Sequence, residues 1–197
     1  MMKKKISLIA VSALLAVSLT GCGIVTVVPI GQESSFTGEE KFDSGAQSSS
    51  DWSQIADELT EKAAELSELM AGDGIGSDAA AVKGKASIVE FNTETPKHYL
   101  LITLEGYEGS EEFRIQAGGV YSGTAIRDVQ TLKEFADFTN QTEWSQYAKA
   151  LNKEADAQTV APLALDESAA GKTVTFVGAA TATGDTVTIT PVALTIE

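Results

Sequence analysis

The chain has 197 residues, of which 43% are hydrophobic and 21% charged, so it can form one packed core but not a second domain of similar size. Its 14 Lys and Arg against 28 Asp and Glu give a net charge of -14, which argues against neutralisation of nucleic-acid phosphates. One Cys and one His exclude a disulfide framework and a zinc site built from four such ligands. We therefore expect no metal, no cofactor and no nucleic-acid partner, and we interpret His98 as a solvated surface residue.

Residues 1–21 have the pattern of a secretory signal peptide. A basic stretch at 3–5 is followed by an uncharged, mostly apolar run at 6–19, too short for a membrane span of about 20 residues. The segment ends in Leu-Thr-Gly-Cys at 19–22, which resembles the lipobox of bacterial lipoproteins. We therefore predict that lipid on Cys22 anchors the chain to a cell membrane on its extracytoplasmic face, which is the periplasm if the cell has an outer membrane. The alternative is an ordinary cleaved signal with an incidental Cys.

Residues 22–50 are predicted to be a lipidated N-terminus and a flexible tether, because the part from 31–50 is rich in Ser, Gly and Glu. Phe36 and Phe42 interrupt this polar stretch, and they either dock onto the folded part or stay in solvent. We assign residues 51–197 to a single globular domain. After cleavage, 11 Lys and Arg against 28 Asp and Glu leave a net charge of -17.

The globular part is predicted to begin with an amphipathic helix over residues 51–71. Apolar residues recur there at three- and four-residue steps, at Trp52, Ile55, Leu59, Ala63, Leu66 and Met70. Asp51 with Gln54 suits a capping box, and Gly72 provides the stop. We expect the apolar stripe to pack against the core rather than to bind a partner.

Residues 85–197 have the pattern of a small barrel. Strands are predicted over 86–91, 99–104, 112–116, 173–177 and 186–196. A helix capped by Asn140 falls between the third and fourth strands, and this order is that of the OB-fold, a five-stranded Greek-key barrel. We therefore predict an α+β protein with an OB-like barrel, the alternative being an open α+β sheet with the same order. Pro191, at a change of hydrophobic phase, predicts a bulge or bend in the last strand.

The densest group of polar residues without an evident structural role lies in the long connection between the third and fourth strands. Arg127 and Asp128 form either an ion pair that fixes this connection or part of a ligand pocket, where a planar guanidinium makes bidentate contacts. An amide pair lies beside two phenylalanines further along, and such groups occur in sugar and peptide pockets. The candidate binding residues are therefore Arg127, Asp128, Asn140 and Gln141, and we assign no catalytic residue.

Four short motifs stand out: GTAIRD at 123–128, DFTNQ at 137–141, ALN at 150–152 and ITPV at 189–192. They resemble a family of bacterial predicted periplasmic lipoproteins, grouped as domain of unknown function 2291, and weaker similarity begins near residue 42. The resemblance implies an OB-like barrel and no established activity. Because some members are encoded beside sugar transporters of the ABC type, it also implies an accessory role at a solute uptake system.

Our leading hypothesis is a non-enzymatic, lipid-anchored binding module whose barrel face or long connection contacts a small sugar or a transporter subunit. The alternative is a carboxylate-based glycan hydrolase, which needs two carboxyl groups about 5 to 9.5 Å apart in a cleft. A third hypothesis is nucleic-acid binding by the barrel, which needs a basic groove with stacking aromatic residues. The acidic charge of the chain argues against it.

Overall fold

Helices and strands alternate in blocks along residues 42–197, the part of the chain that the computed structural model describes. The helices are α1 (Ser44–Lys62), α2 (Leu66–Ala71), α3 (Ala125–Val129) and α4 (Gln141–Glu154). The strands are β1 (Ala64–Glu65), β2 (Ala80–Asn92), β3 (Lys97–Leu104), β4 (Glu112–Gly119), β5 (Thr173–Thr183) and β6 (Thr186–Ile196). A π-helical turn (Ala155–Val160) continues α4, and 3-10 turns occupy Phe135–Asp137, Ala161–Leu163 and Glu167–Ala169. The predicted signal peptide, Cys22, Phe36 and most of the predicted tether lie outside the described residues.

Strands β2 to β6 close into a barrel because β2 pairs with a different neighbour along each half. Residues 80–87 of β2 pair antiparallel with β5, and residues 86–92 pair antiparallel with β3. The sheet order is β1-β2-β3-β4-β6-β5, with β5 returning to β2, and β4 and β6 run parallel. Helix α4 lies between the third and fourth barrel strands. The predicted OB-like barrel is therefore confirmed, and the open sheet is excluded.

The barrel interior is filled by alternate side chains of every barrel strand. The fully buried members include Val82, Leu100, Ile115, Val174 and Ile189. β2 begins at Ala80, earlier than the predicted start of the barrel at residue 85, and β5 continues to Thr183. Both extensions run through Gly and Ala, which carry little strand signal in a sequence.

β6 contains the bulge that was predicted at Pro191. Gly178 of β5 pairs with Pro191 and Val177 pairs with Ala193, so Val192 has no partner in β5. The extra residue shifts the alternation of the strand by one. Odd-numbered apolar side chains before the bulge and even-numbered ones after it therefore pack on the same interior.

The prediction of one continuous helix over residues 51–71 is wrong. α1 begins at Ser44, because the Asp43 carboxylate caps the helix. It accepts hydrogen bonds from the backbone amides of Gly45 and Ala46. Residues 44–50, predicted as tether, are therefore helical. The backbone becomes extended at Ala63, and β1 then pairs with β2 before α2 begins. α2 ends before Gly72, as predicted.

The interruption between α1 and α2 lets one apolar stripe serve two cores. Trp52, Ile55 and Leu59 of α1 pack outside the barrel, whereas Leu66 of α2 is buried in its interior. A continuous helix presents such a stripe to a single surface. The chain must therefore change direction between Leu59 and Leu66. Asp51, predicted as the helix cap, lies instead within α1 and is buried.

The second core lies between helices α1, α3 and α4 and the outside of β5 and β6. Its buried members are Trp52, Ile55, Leu59, Ala125, Ile126, Tyr147, Leu151, Ala155, Ala179 and Val192. Phe42 packs against this core, so it docks rather than staying in solvent, and the compact unit begins there. Within residues 42–197, the helices are too short or too polar to cross a membrane.

Replacing Gly178 with Ala is expected to destabilise the barrel at the bulge. The new Cβ would lie 2.4 Å from the carbonyl oxygen of Thr190 and 3.0 Å from Cα of Pro191, and neither backbone atom can move freely. We expect the free energy of unfolding to fall by about 1–3 kcal/mol in urea denaturation. Gly76→Ala is the control, because nothing lies within 4 Å of its Cβ position. Equal stability of the two variants would contradict the close packing of Gly178 against Thr190 and Pro191.

Candidate functional site

Arg127 and Asp128 lie in the short helix α3 and contact each other. Nε and Nη2 of Arg127 donate to Oδ1 of Asp128 at 2.8 and 2.6 Å, and the Thr124 hydroxyl donates to Oδ2 at 2.5 Å. The Arg127 side chain is only 15% exposed, and its Cζ atom lies 4.7 Å from the centroid of the Trp144 ring. The guanidinium of Arg127 is therefore engaged within the chain, where it links α3 to one face of α4.

Aromatic rings surround this contact, and we call Phe42, Phe135, Phe138, Trp144 and Tyr147 the aromatic patch. Phe138 is its centre, with ring centroids 5.4, 4.9 and 5.1 Å from those of Phe42, Trp144 and Tyr147. Phe135 lies at the edge, 6.5 Å from Trp144, and is 49% exposed. Ring pairs at these separations stabilise one another. The patch therefore has a packed base and an exposed aromatic rim.

The other two candidate residues lie at the start of α4. Oδ1 of Asn140 accepts from the amides of Thr142 and Glu143 at 2.9 and 3.0 Å, which confirms Asn140 as the helix cap. Gln141 is exposed in the first turn. Trp144 follows one turn later on the same helix. The structure therefore places Arg127 against the Trp144 ring, with Asn140 and Gln141 one turn earlier on the same helix. The Arg127 guanidinium and the Asn140 carbonyl are occupied by internal contacts.

The base of the aromatic patch is tied to α1 by a buried polar contact. The Tyr147 hydroxyl donates to Oδ2 of Asp51 at 2.8 Å, and the Gln47 side chain donates to the same oxygen at 2.8 Å. Burial, together with the neighbouring Asp51 carboxylate, raises the pKa of Tyr147 above its ordinary value of 10.0. Tyr147 therefore remains a neutral donor at physiological pH, and it holds α4 against α1.

Glu58 of α1 fastens the connection that leads from α3 to α4. Its Oε1 atom accepts from the backbone amide and the hydroxyl of Thr131 at 2.9 and 2.7 Å, and also from the Lys62 ammonium. Burial alone would raise the pKa of Glu58, but the hydrogen bonds from Lys62 and Thr131 lower it overall below 4.5. An open cleft of about 490 Å³ lies here, lined also by Asp57 and Glu61.

Two buried glutamines, neither of them predicted as a site residue from the sequence, fix the chain on either side of α3. The Gln116 side chain bonds to the backbone N–H and C=O of Ser122 at 2.7 and 3.1 Å and to the Thr190 hydroxyl at 2.6 Å. The Gln130 amide donates to the carbonyls of Arg127 and Lys133 at 3.1 and 2.7 Å. Single amides give no periodic signal in a sequence. These contacts therefore emerge only when the strands and turns are placed.

His98 lies in β3 and is half-buried, which corrects its interpretation as a solvated surface residue. Its ring meets the Phe91 ring edge-on at 6.2 Å between centroids. A Cβ at Gly119 would lie 3.3 Å from the imidazole, so the absence of a side chain there makes room for the ring. The burial of His98 follows from packing and requires no catalytic role.

Three carboxyl groups of the described part have a shifted pKa. In Glu58, Glu111 and Asp166 alike, hydrogen bonds to the carboxylate lower the pKa, whereas the acid of a glycoside hydrolase has a raised one. No group of three or more His, Cys, Asp or Glu suited to a metal ion occurs among residues 42–197. The site therefore consists of aromatic surface, an internal ion pair and capped helix ends.

Glu58→Gln is expected to reduce stability in a pH-dependent way. Because the folded pKa of Glu58 is lowered, its contribution is present above pH 4.5 and is lost as pH falls through the folded value. We expect the variant to lose about 1 kcal/mol at pH 6.5 in urea denaturation, and to lie closer to the wild type at pH 3. Glu61→Gln, an exposed neighbour on the same cleft, is the control. A constant difference at both pH values would contradict the role of the charge.

Comparison with known proteins gives a family and a fold. The profile of the predicted periplasmic lipoprotein family (DUF2291) matches residues 72–195, which include the whole barrel except the last residue of β6, and also α3 and α4. A solved OB-fold protein from Thermotoga maritima MSB8 matches with a TM-score of 0.60 and 16% identity, over 80% of this chain and 100% of that chain. No protein with a curated description matches. The chain therefore belongs to the family of predicted periplasmic lipoproteins, which are membrane-anchored on the extracytoplasmic side.

Proposed function

We propose that this lipoprotein is a non-enzymatic binding module whose aromatic patch contacts a protein subunit of an ABC-type sugar uptake system. The observation that carries the proposal is the exposure of Phe135, 49%, beside the stacked Arg127 and Trp144 pair. The link to sugar uptake rests on the resemblance to a family in which some members are encoded beside such transporters. No reaction is assigned to the chain.

The composition of the aromatic patch supports a protein partner. Tyr, Trp and Arg carry a disproportionate share of binding energy at protein interfaces, because they bury large areas at a small entropy cost. Here Trp144 is held from one side by Arg127 and packed by Phe138, with its ring centroid 4.9 Å away. The surface is therefore preorganised, and binding would not have to order it first.

The shape of the surface favours a protein over a small sugar. Sugar pockets are concave and bury most of the ligand. Three clefts of the described part, one of about 490 Å³ and two of about 250 Å³, are lined by other residues, among them Glu61, Lys149 and Leu163. At the patch, neighbouring side chains contact the Trp144 ring, so Phe135 offers the exposed aromatic surface. A protein partner can cover such an open area.

The lipid anchor on Cys22 keeps the module near membrane-bound partners. Nineteen residues separate Cys22 from Phe42, and that length spans at most about 70 Å when fully extended. The net charge of -17 after cleavage would repel anionic lipid headgroups. The module would therefore remain in water within reach of a transporter subunit at the membrane surface.

Phe135→Ser is expected to weaken binding to the transporter. The full chain in non-ionic detergent would be titrated by interferometry against the purified solute-binding and membrane subunits of the ABC-type sugar system encoded nearest to it. Loss of the exposed aromatic contact should raise Kd about tenfold or more. The matched control is Val120→Ser, since Val120 is 55% exposed but lies outside the aromatic patch.

The proposal fails if the wild type binds none of the subunits, or if the two variants weaken binding equally. Thermal unfolding of the same protein with pentoses and hexoses tests the small-ligand alternative. A sugar-dependent rise in Tm that Phe135→Ser abolishes would replace the protein partner with a sugar. Turnover of a glycan by the wild type would instead support the hydrolase hypothesis.

A further inference from the structure

The chain contains two arginines, and they differ in how much of the guanidinium is in use. Arg127 donates through both Nε and Nη2 to Asp128 and lies against Trp144. Arg114 donates to a described residue only through Nε, to Oε1 of Glu112. Its four Nη hydrogens make no hydrogen bond within residues 42–197, and the side chain is 37% exposed. Within residues 42–197, the arginine whose bidentate Nη edge makes no hydrogen bond is therefore Arg114.

Arg114 is held in place on the outer face of the barrel. Its neighbours in β4, Phe113 and Ile115, are 3% and 0% exposed and face the interior, so Arg114 faces outward. The guanidinium carbon lies 4.5 Å from the centroid of the Tyr99 ring on β3. One face of the guanidinium thus rests on an aromatic ring, and Glu112 restrains its Nε edge. The Nη edge is fixed in orientation before any ligand arrives.

The strands beside Arg114 supply a polar and an apolar neighbour. Across the sheet, Arg114 is level with Thr188 of β6 on one side and with Leu101 of β3 on the other. The residues flanking Thr188 along β6 are buried in the interior, so its hydroxyl lies on the outer face. The result is a row of one apolar group, one guanidinium and one hydroxyl across adjacent strands, about 5 Å apart.

We propose that this face of the barrel, formed by Tyr99, Arg114 and Thr188, binds the carboxylate of a small organic acid. A planar carboxylate matches the two Nη groups of a fixed guanidinium, and the Thr188 hydroxyl can donate to it. The net charge of -17 after cleavage favours a ligand with one negative charge over a phosphate or a polyanion. In the extracytoplasmic space such carboxylates occur on acidic sugars and at peptide C-termini.

Titration of the full chain in non-ionic detergent, at constant ionic strength, tests this site. The probes are glucuronate and galacturonate against glucose and galactose, and N-acetyl-alanyl-alanine against its C-terminal amide. We expect binding of at least one carboxylate probe, and at least tenfold weaker binding of its neutral counterpart. Binding of the hexuronates only identifies an acidic sugar as the source of the carboxylate, and binding of the peptide only identifies a C-terminus.

Two variants and one control connect the binding to this geometry. Arg114→Lys keeps the charge but removes the fork, and it should weaken binding at least tenfold. Thr188→Val should weaken it about threefold. Lys85→Gln removes a charge from an exposed pair elsewhere on the barrel and should leave Kd unchanged within about twofold. Absence of binding by every carboxylate probe, or equal binding by Arg114→Lys, overturns the proposal. Because Phe135 and Val120 lie outside this face, either result leaves the protein-partner proposal separately testable.

Discussion

The barrel depends on β2 belonging to two ladders at once. Its first half pairs with β5 and its second half with β3, so the strand must bend sharply around the interior. Gly84 lies in the bending half, where a Cβ would come within 3.0 Å of the Phe176 ring. The missing side chain allows that ring to fill the interior while the strand passes over it. Closure then leaves the outer faces of the strands available, one side for the helices and another for solvent.

The helical side of the molecule is organised by a few polar contacts set among apolar ones. Asp51 and Tyr147 join α1 to α4, and Glu58 joins α1 to the connection before α4. Each contact satisfies a charged or polar group. The apolar packing around it supplies most of the stability, and the polar contacts fix how the helices are placed against each other. The aromatic patch follows from this arrangement, because α4, which carries Trp144, and the connection that carries Phe138 are both held against α1.

The same residue type has two roles in this chain because its neighbours differ. Arg127 meets an adjacent carboxylate and an indole ring, and both serve internal packing. Arg114 contacts the Tyr99 ring and the Glu112 carboxylate, and that carboxylate accepts only from Nε of the guanidinium. In the sequence, Arg127 stands out because it lies among polar residues without an evident structural role. The alternation of β4 also places Arg114 on the outer face, but it does not reveal that Tyr99 lies beneath it.

The order of elements was determined by the sequence, since hydrophobic periodicity and turn residues report which segments are strands and which are helices. The predicted OB-like order, the Asn140 cap and the bulge at Pro191 all rest on such local patterns, and the structure confirms them. The break of the first helix was decided by the tertiary structure, because one apolar stripe had to serve two cores. The contacts of Gln116 with Thr190, of Tyr147 with Asp51 and of both arginines with aromatic rings were decided in the same way. Contacts between residues far apart in the chain depend on the placement of whole strands and helices.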